Sequence, residues 1–189
     1  MLTTAPRLPF TRWLGASALG LSLGLGAGCD SYPATGAAIT TGTYEAMATV
    51  TYTWQVDYAK SFDQARTIHQ ERFESTSLVN RNGIKPDGAV TGPDDEGLWW
   101  PALPPEPTAD DLLSRQKSPA EQRTDPLLQK DVAYAITFDY DGQRRTLPTN
   151  PSVYREASQA YADQQTLELT YGPGEQSIGA ARRIAGFDR

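Results

Sequence analysis

Residues 44–58 read YEAMATVTYTWQVDY, and this stretch decides the fold. Its even-numbered positions are apolar or aromatic throughout, whereas its odd-numbered positions are mostly polar. Successive side chains of a β-strand point to opposite faces, so the alternation predicts one long strand with a single buried face. Such a strand is typical of an antiparallel sheet that is covered on one side and solvated on the other.

The same alternation returns at residues 131–140, where every even-numbered residue is apolar or aromatic. Asp141-Gly142 follows and predicts a hairpin turn, with residues 143–147 pairing back. Asn150-Pro151 then predicts the start of a helix, because asparagine caps helices well and proline suits the first helical position. A final alternating strand is predicted at residues 167–171.

The remaining segments have less regular patterns. They predict a helix at 61–72, a short strand at 73–79, a long acidic loop at 80–97, an extended proline-rich segment at 98–107, short helices after the capping residues Thr108 and Ser118, and a short helix in the tail, 177–189. Together these elements predict a single α+β domain over residues 43–189. We expect an antiparallel β-sheet of about four strands, with two or three short helices packed on one face.

The N-terminal region has the pattern of an export signal. Arg7 and Arg12 precede an uncharged segment, 13–28, that is rich in leucine, alanine and glycine. It ends in LGAGC, residues 25–29, which resembles the lipobox of bacterial lipoprotein precursors. The resemblance implies a signal peptide at 1–28 and a lipidated N-terminal cysteine at Cys29. A flexible tether is then predicted over 29–42, because this segment is small and polar.

The lipobox resemblance also implies a location. The chain is expected to be exported and held at the cell membrane by its lipid, with its domain in the periplasm or on the extracytoplasmic face. Two alternatives remain open at this stage: an ordinary signal-peptidase site before Cys29, or an uncleaved anchor. Lipidation is favoured because a lone free thiol is a liability on an exported chain.

The charge of the chain argues against two classes of partner. The sequence has 17 basic and 23 acidic residues, a net charge of −6. Removing the signal peptide deletes two of the basic residues and none of the acidic ones, which leaves −8. We therefore expect no nucleic-acid partner and no electrostatic attraction to anionic lipid.

Few residues suggest catalysis or metal binding. His69 is the only histidine, with Glu71 two positions away, and these two side chains share a face only if the segment is a strand. Residues 139–142 and 94–96 hint at calcium. The first segment lacks the remaining ligands of an EF-hand loop and lies where a hairpin turn is predicted, and the second is expected to be a solvated acidic loop. We expect no cofactor, no metal and no catalytic residues.

The stretch Trp99-Trp100-Pro101 is the candidate binding surface. Adjacent residues of an extended chain point in opposite directions, so one indole is expected to be buried and the other exposed. Either the proline-rich segment straps across the sheet and an indole fills the core, or a tryptophan forms part of a recognition surface.

The leading hypothesis is a non-enzymatic envelope lipoprotein that presents a protein-interaction surface and serves as an accessory or assembly factor. One alternative is a binder of cell-wall polysaccharide that stacks sugar rings on Trp99 and Trp100. The other alternative is a hydrolase that uses His69 or a pair of carboxylates.

Overall fold

The computed structural model describes residues 34–60 and 69–184. None of its helices in these ranges is long and apolar enough to span a membrane. The elements in chain order are β1 (Ala38–Thr41), β2 (Tyr44–Ala59), β3 (His69–Arg81), α1 (Ala109–Ser114), β4 (Gln122–Arg123), β5 (Leu127–Tyr140), β6 (Gln143–Pro148), α2 (Pro151–Ala162), β7 (Thr166–Tyr171) and β8 (Ile178–Ile184).

The strands form two antiparallel sheets. The larger sheet has the order β3-β2-β5-β6, and β4 pairs with the end of β2. The smaller sheet has the order β1-β7-β8. The prediction of antiparallel sheet with a few helices is confirmed. The prediction of a single sheet of about four strands is wrong, since the described ranges hold eight strands in two sheets.

The core lies on the face of β2 that its even-numbered residues form. Ala46, Ala48 and Val50 have no exposed surface there, and they belong to one cluster with Tyr154 and Ala157 of α2 and with Leu167 and Leu169 of β7. A smaller cluster further along the same face joins Val56 and Tyr58 to Leu112 of α1. Both helices therefore lie on the apolar face that the sequence predicts.

A bulge in β3 explains one error of the sequence analysis. Two residues of β3, Phe73 and Glu74, lie opposite the single residue Trp54 of β2. The buried side of β3 therefore changes from odd-numbered residues to even-numbered ones at this point. This shift hides the strand alternation, and the helix predicted at 61–72 is wrong from His69 onward. Residues 61–68 lie outside the described ranges.

The region from β5 to β7 follows the sequence prediction closely. Asp141 and Gly142 both have positive φ, 51° and 71°, as the hairpin between β5 and β6 requires. The Asn150 side chain accepts a hydrogen bond from the Val153 N–H and so caps α2. Thr108 caps α1 in the same way, through a capping box with Asp111.

Three further predictions are corrected by strand pairing and turn geometry. Part of the predicted tether at 29–42 is folded, because β1 pairs with β7. The predicted tail helix is strand β8 over its described part, because these residues pair with the other edge of β7. Residues 118–121 form a turn, in which the Glu121 carboxylate accepts a hydrogen bond from the Lys117 N–H at 2.7 Å.

A matched pair of leucine substitutions tests the core. Leu167→Ala removes a side chain with no exposed surface and is expected to lower the free energy of unfolding by about 2–5 kcal/mol, because it leaves a cavity between the sheets. Leu127→Ala makes the same chemical change where the side chain is 59% exposed, and it is expected to cost less than about 0.5 kcal/mol. Urea denaturation followed by tryptophan fluorescence measures both. Equal costs would contradict this description of the core.

Candidate functional site

The proline-rich segment crosses the apolar face of the larger sheet, and we call residues 98–107 the strap. The Trp54 indole N–H of β2 donates to the Pro104 carbonyl at 3.0 Å, and the Thr76 hydroxyl of β3 donates to the Ala102 carbonyl at 2.6 Å. Pro101 is buried. The strap is thus fixed to the sheet by hydrogen bonds that its carbonyl groups accept. Proline has no backbone N–H, so the carbonyl groups are the hydrogen-bonding groups that a proline-rich backbone offers.

Trp100 is part of the core rather than an exposed platform. Its side chain is 6% exposed, and its ring centroid lies 5.5 Å from that of Tyr52. The Lys130 ammonium lies 3.6 Å from the centroid of the indole, in a cation–π contact. The indole N–H of Trp100 donates to Asp94 Oδ2 at 2.9 Å. These contacts favour the interpretation in which the strap covers the core and Trp100 fills it.

Trp99 is half-buried and is fixed through its backbone by Asn80. The Asn80 Oδ1 accepts from the Trp99 N–H at 2.8 Å, and its Nδ2 donates to the Trp99 carbonyl at 3.0 Å. Asn80 has no exposed surface. One buried side chain therefore supplies both backbone partners that Trp99 needs, and it sets the position of the strap against β3.

Asp94 shapes the loop that precedes the strap. Its Oδ1 accepts from the backbone N–H groups of Glu96 and Leu98, at 3.0 and 2.9 Å. Its Oδ2 accepts from Trp100, as described above. Both carboxylate oxygens are thus used to hold the loop, and this loop brings Asp95 and Glu96 to the surface beside α2.

A cleft of about 350 Å³ lies between this loop and α2, and we call it the acidic cleft. Its size is near the lower end of the range for small-ligand sites. Its rim carries three carboxylates and one guanidinium. The lining residues are Asn82, Gly83, Asp94, Asp95, Glu96, Gly97, Arg155, Ser158, Gln159 and Ala162.

Tyr134 connects the acidic cleft to the sheet. Its hydroxyl donates to Glu96 Oε2 at 2.8 Å. Burial raises the pKa of Tyr134 well above its usual value of 10.0, and the hydrogen bond to the Glu96 carboxylate and the negative charges of Glu96 and Asp94 raise it further. The phenol therefore stays protonated and keeps Glu96 in place over the ordinary pH range.

Two buried hydroxyls lie behind the acidic cleft. Tyr154 has no exposed surface, and its hydroxyl lies beside the Ser158 side chain and the Gly83 backbone. The Ser158 hydroxyl is also buried. Burial raises the pKa of Tyr154, which keeps its hydroxyl protonated. Both hydroxyl oxygens have almost no accessible surface, so they support the wall of the acidic cleft from inside the fold.

His69 is the first residue of β3. Its ring stacks on Tyr58, with centroids 5.0 Å apart. Its two ring nitrogens face carboxylates: Nε2 lies 3.8 Å from Glu71, and Nδ1 lies 3.7 Å from Glu121. These distances exceed those of hydrogen bonds. Within residues 34–60 and 69–184, no group of three potential ligands is placed to hold a metal ion.

A larger cleft of about 580 Å³ lies between β3 and α1. It carries charges of both signs, including Arg72, Arg115 and Asp111. Asp111 is already engaged in capping α1, and hydrogen bonds from Thr108 hold the pKa of its carboxyl below the usual value. The acidic cleft is instead bordered by the loop that Asp94 fixes and carries three carboxylates against one guanidinium, so we place the candidate site at the acidic cleft.

The sequence analysis located part of this region but not its chemistry. It selected Trp99, Trp100 and Pro101, which do not line the acidic cleft; Trp100 contacts it only through its hydrogen bond to Asp94. It noted residues 94–96 only as an acidic loop, and it missed Tyr154 and Ser158, whose spacing along a helix is typical of ordinary packing. Cys29 lies outside the described residues.

The comparisons with known proteins give no relative. No protein-family model matches the chain, and no curated protein and no solved structure is significantly similar to it.

Replacing Asn80 tests the attachment of the strap. Asn80→Ala leaves two part-buried backbone groups of Trp99 without their side-chain partner, so it is expected to lower the free energy of unfolding by about 1–3 kcal/mol. Gln129→Ala removes an exposed amide from β5 and is the control, with an expected change of less than about 0.5 kcal/mol. Denaturation curves give both values. An unchanged stability of Asn80→Ala would show that the strap is held by other contacts.

Alkaline unfolding tests the environment of Tyr134. Because its pKa is raised in the folded state, the unfolded chain releases the phenol proton first as the pH rises through about 10, and folding stability falls there. Below that pH, the contribution of Tyr134 to the free energy of unfolding is fully present. Tyr134→Phe is expected to reduce the loss of stability between about pH 9 and pH 11. Tyr140→Phe removes the phenol of a side chain that is 43% exposed and is the control.

Proposed function

We propose that this chain is a lipid-anchored envelope protein whose single domain binds a partner protein without catalysing a reaction. In this proposal it serves as an accessory or assembly factor for a membrane or envelope complex. The lipobox-like residues 25–29 support the placement at the membrane, because acyl chains on Cys29 would give stable attachment. The tether between Cys29 and β1 then gives the domain a short reach from the bilayer.

The acidic cleft is the observation that carries the binding role. Its walls are fixed, since Asn80 holds the strap and Asp94 holds the loop. A rigid wall reduces the ordering cost of association. The cleft offers carboxylates, which are groups for binding a polar partner. The described tryptophans are engaged in packing and hydrogen bonds, and this supports the protein-binding reading over sugar stacking.

Site-specific cross-linking in living cells tests the proposal. A photo-cross-linking residue in place of Gln159 lies at the acidic cleft, and the same residue in place of Gln129 lies on the opposite, open face of the larger sheet. Both glutamines are exposed. We expect the Gln159 position to capture one envelope protein repeatedly, and the Gln129 position to capture it much less.

The lipid anchor is tested in the same cells. Cys29→Ser is expected to abolish labelling by radioactive palmitate, to release the protein from membranes, and to lose the captured partner. Asp30→Asn is the control and is expected to keep all three properties. Membrane attachment that survives Cys29→Ser would contradict the proposed anchor. Capture of wall fragments alone at Gln159 would instead favour the polysaccharide-binding alternative.

A further inference from the structure

The strand β3 forms one edge of the larger sheet, and its outer side has no partner in the described ranges. Within residues 34–60 and 69–184, this strand of 13 residues pairs with β2 alone. Between residues 70 and 80, no backbone hydrogen bond joins its outer side to another described segment. Every second residue of such an edge directs its N–H and C=O groups outward, where water or another chain must satisfy them.

This edge lacks the usual protection against pairing with another chain. Proteins commonly shorten an edge strand or place proline, lysine or other charges on it. β3 has neither proline nor lysine, and it is more than twice as long as an average strand of about 5–6 residues. After the bulge opposite Trp54, residues 75–81 stay in continuous register with β2, and residues 75–80 carry no charge. This half of the edge is therefore regular and open to pairing.

The larger cleft opens onto the same edge. One wall is formed by residues 72–75 of β3, and the other by residues 105–108 together with α1 and the residue after it, Arg115. Arg72 also lines a groove on the open face of the sheet, so the edge is accessible from both faces at this point. The volume of about 580 Å³ lies within the range for binding sites. An additional extended segment therefore has room beside β3.

The charges at the larger cleft nearly cancel. It carries two guanidinium groups and three carboxylates, from Arg72, Arg115, Glu74, Glu106 and Asp111. Asp111 is used to cap α1, and the Arg115 guanidinium lies 3.8 Å from a carboxylate oxygen of Glu71. A strongly charged ligand gains little here, so the backbone groups of the edge are the main attraction that the cleft offers.

The strap decides which extended chain fits the edge. It lies over β3 itself, since the Thr76 hydroxyl donates to the Ala102 carbonyl and Asn80 binds the Trp99 backbone. Two β3 strands paired edge to edge would lie about 4.8 Å apart. Two straps, one over each strand, would then have to fit within that width, whereas a single segment brings no second layer. The edge therefore suits a segment of another protein better than a second copy of this chain.

We propose that an extended segment of a partner protein adds as a strand to the outer edge of β3 and continues into the larger cleft. This inference goes beyond the proposed function, because the larger cleft and the acidic cleft share no lining residue. The backbone of the segment pairs with the outward N–H and C=O groups of residues 75–80. The small side chains of Ser75 and Ser77 let the segment approach closely.

Peptide titration of the detergent-solubilised full chain tests the inference. The probe is acetyl-Arg-Thr-Val-Thr-Val-Thr-Glu-amide, which favours the extended conformation and has no net charge. The control has N-methyl groups on all its threonine and valine residues, so it keeps the side chains and loses the N–H donors. We expect the probe to slow hydrogen exchange at alternate amides of residues 75–80 by about tenfold or more, and the control to leave them unchanged. No protection at millimolar probe, or equal binding of the control, would overturn the inference.

Two lysine substitutions compare the two edges of the larger sheet. Ser77→Lys on β3 and Thr146→Lys on β6 each replace a hydroxyl that is hydrogen-bonded to a threonine of the neighbouring strand. Lysine on an edge strand disfavours further pairing. We expect Ser77→Lys to weaken probe binding by about threefold to fivefold and Thr146→Lys to leave it unchanged, with both melting temperatures retained. Equal effects of the two substitutions would show that the probe does not pair with β3.

The remaining outcomes identify the occupant. If protection of residues 75–80 rises with the concentration of the chain alone, a second copy occupies the edge and the assignment to a partner segment is wrong. If the probe protects these residues but cross-linking at Gln159 captures no protein in cells, the proposed function of the acidic cleft is wrong and this inference stands. If Gln159 captures a partner and the probe gives no protection, the inference is wrong and the proposed function stands.

Discussion

The central strand β2 is the constraint on which the rest of the structure depends. Its backbone is paired along both edges, with β3 on one side and β5 on the other. Its even-numbered face must be buried, and its smallest residues there, Ala46 and Ala48, lie under α2 and the smaller sheet. Small side chains let a second layer approach the sheet closely. The two sheets, the helices and the strap are all arranged to cover this one face.

The strap completes the cover, and its attachment produces the acidic cleft. A proline-rich chain lacks donors and cannot join the sheet as a regular strand, so side chains must satisfy its backbone. Asn80 does this for Trp99, and Asp94 fixes the loop that leads into Trp100. The ends of this loop are held, so Asp95 is exposed and Glu96 is half-buried next to α2. The same contacts that close the core thus build the proposed site.

The candidate site was only partly predictable from the sequence. The tryptophan pair drew attention to the correct region because adjacent aromatic residues on an extended chain are unusual. Its use was not predictable, since whether Trp100 faces the core or solvent depends on Tyr52 and Lys130, which belong to distant strands. The cleft combines residues from three separate segments, and no local pattern relates them. The position of Tyr154 behind the cleft follows only from packing.

The sequence by itself determined the regular elements with a constant period. These are the alternation of β2 and β5, the Asp141-Gly142 hairpin and the capped helix α2. The lipid site at Cys29 stays a prediction from the lipobox resemblance. The tertiary structure alone decided the elements whose pattern is broken or weak: the bulged strand β3, the pairing of β1 and β8 with β7, and the acidic cleft. The physical reason is that a constant hydrophobic period in the sequence indicates one continuous buried face of a strand or helix. A bulge, an edge pairing and a cleft instead depend on partners that are remote in the chain.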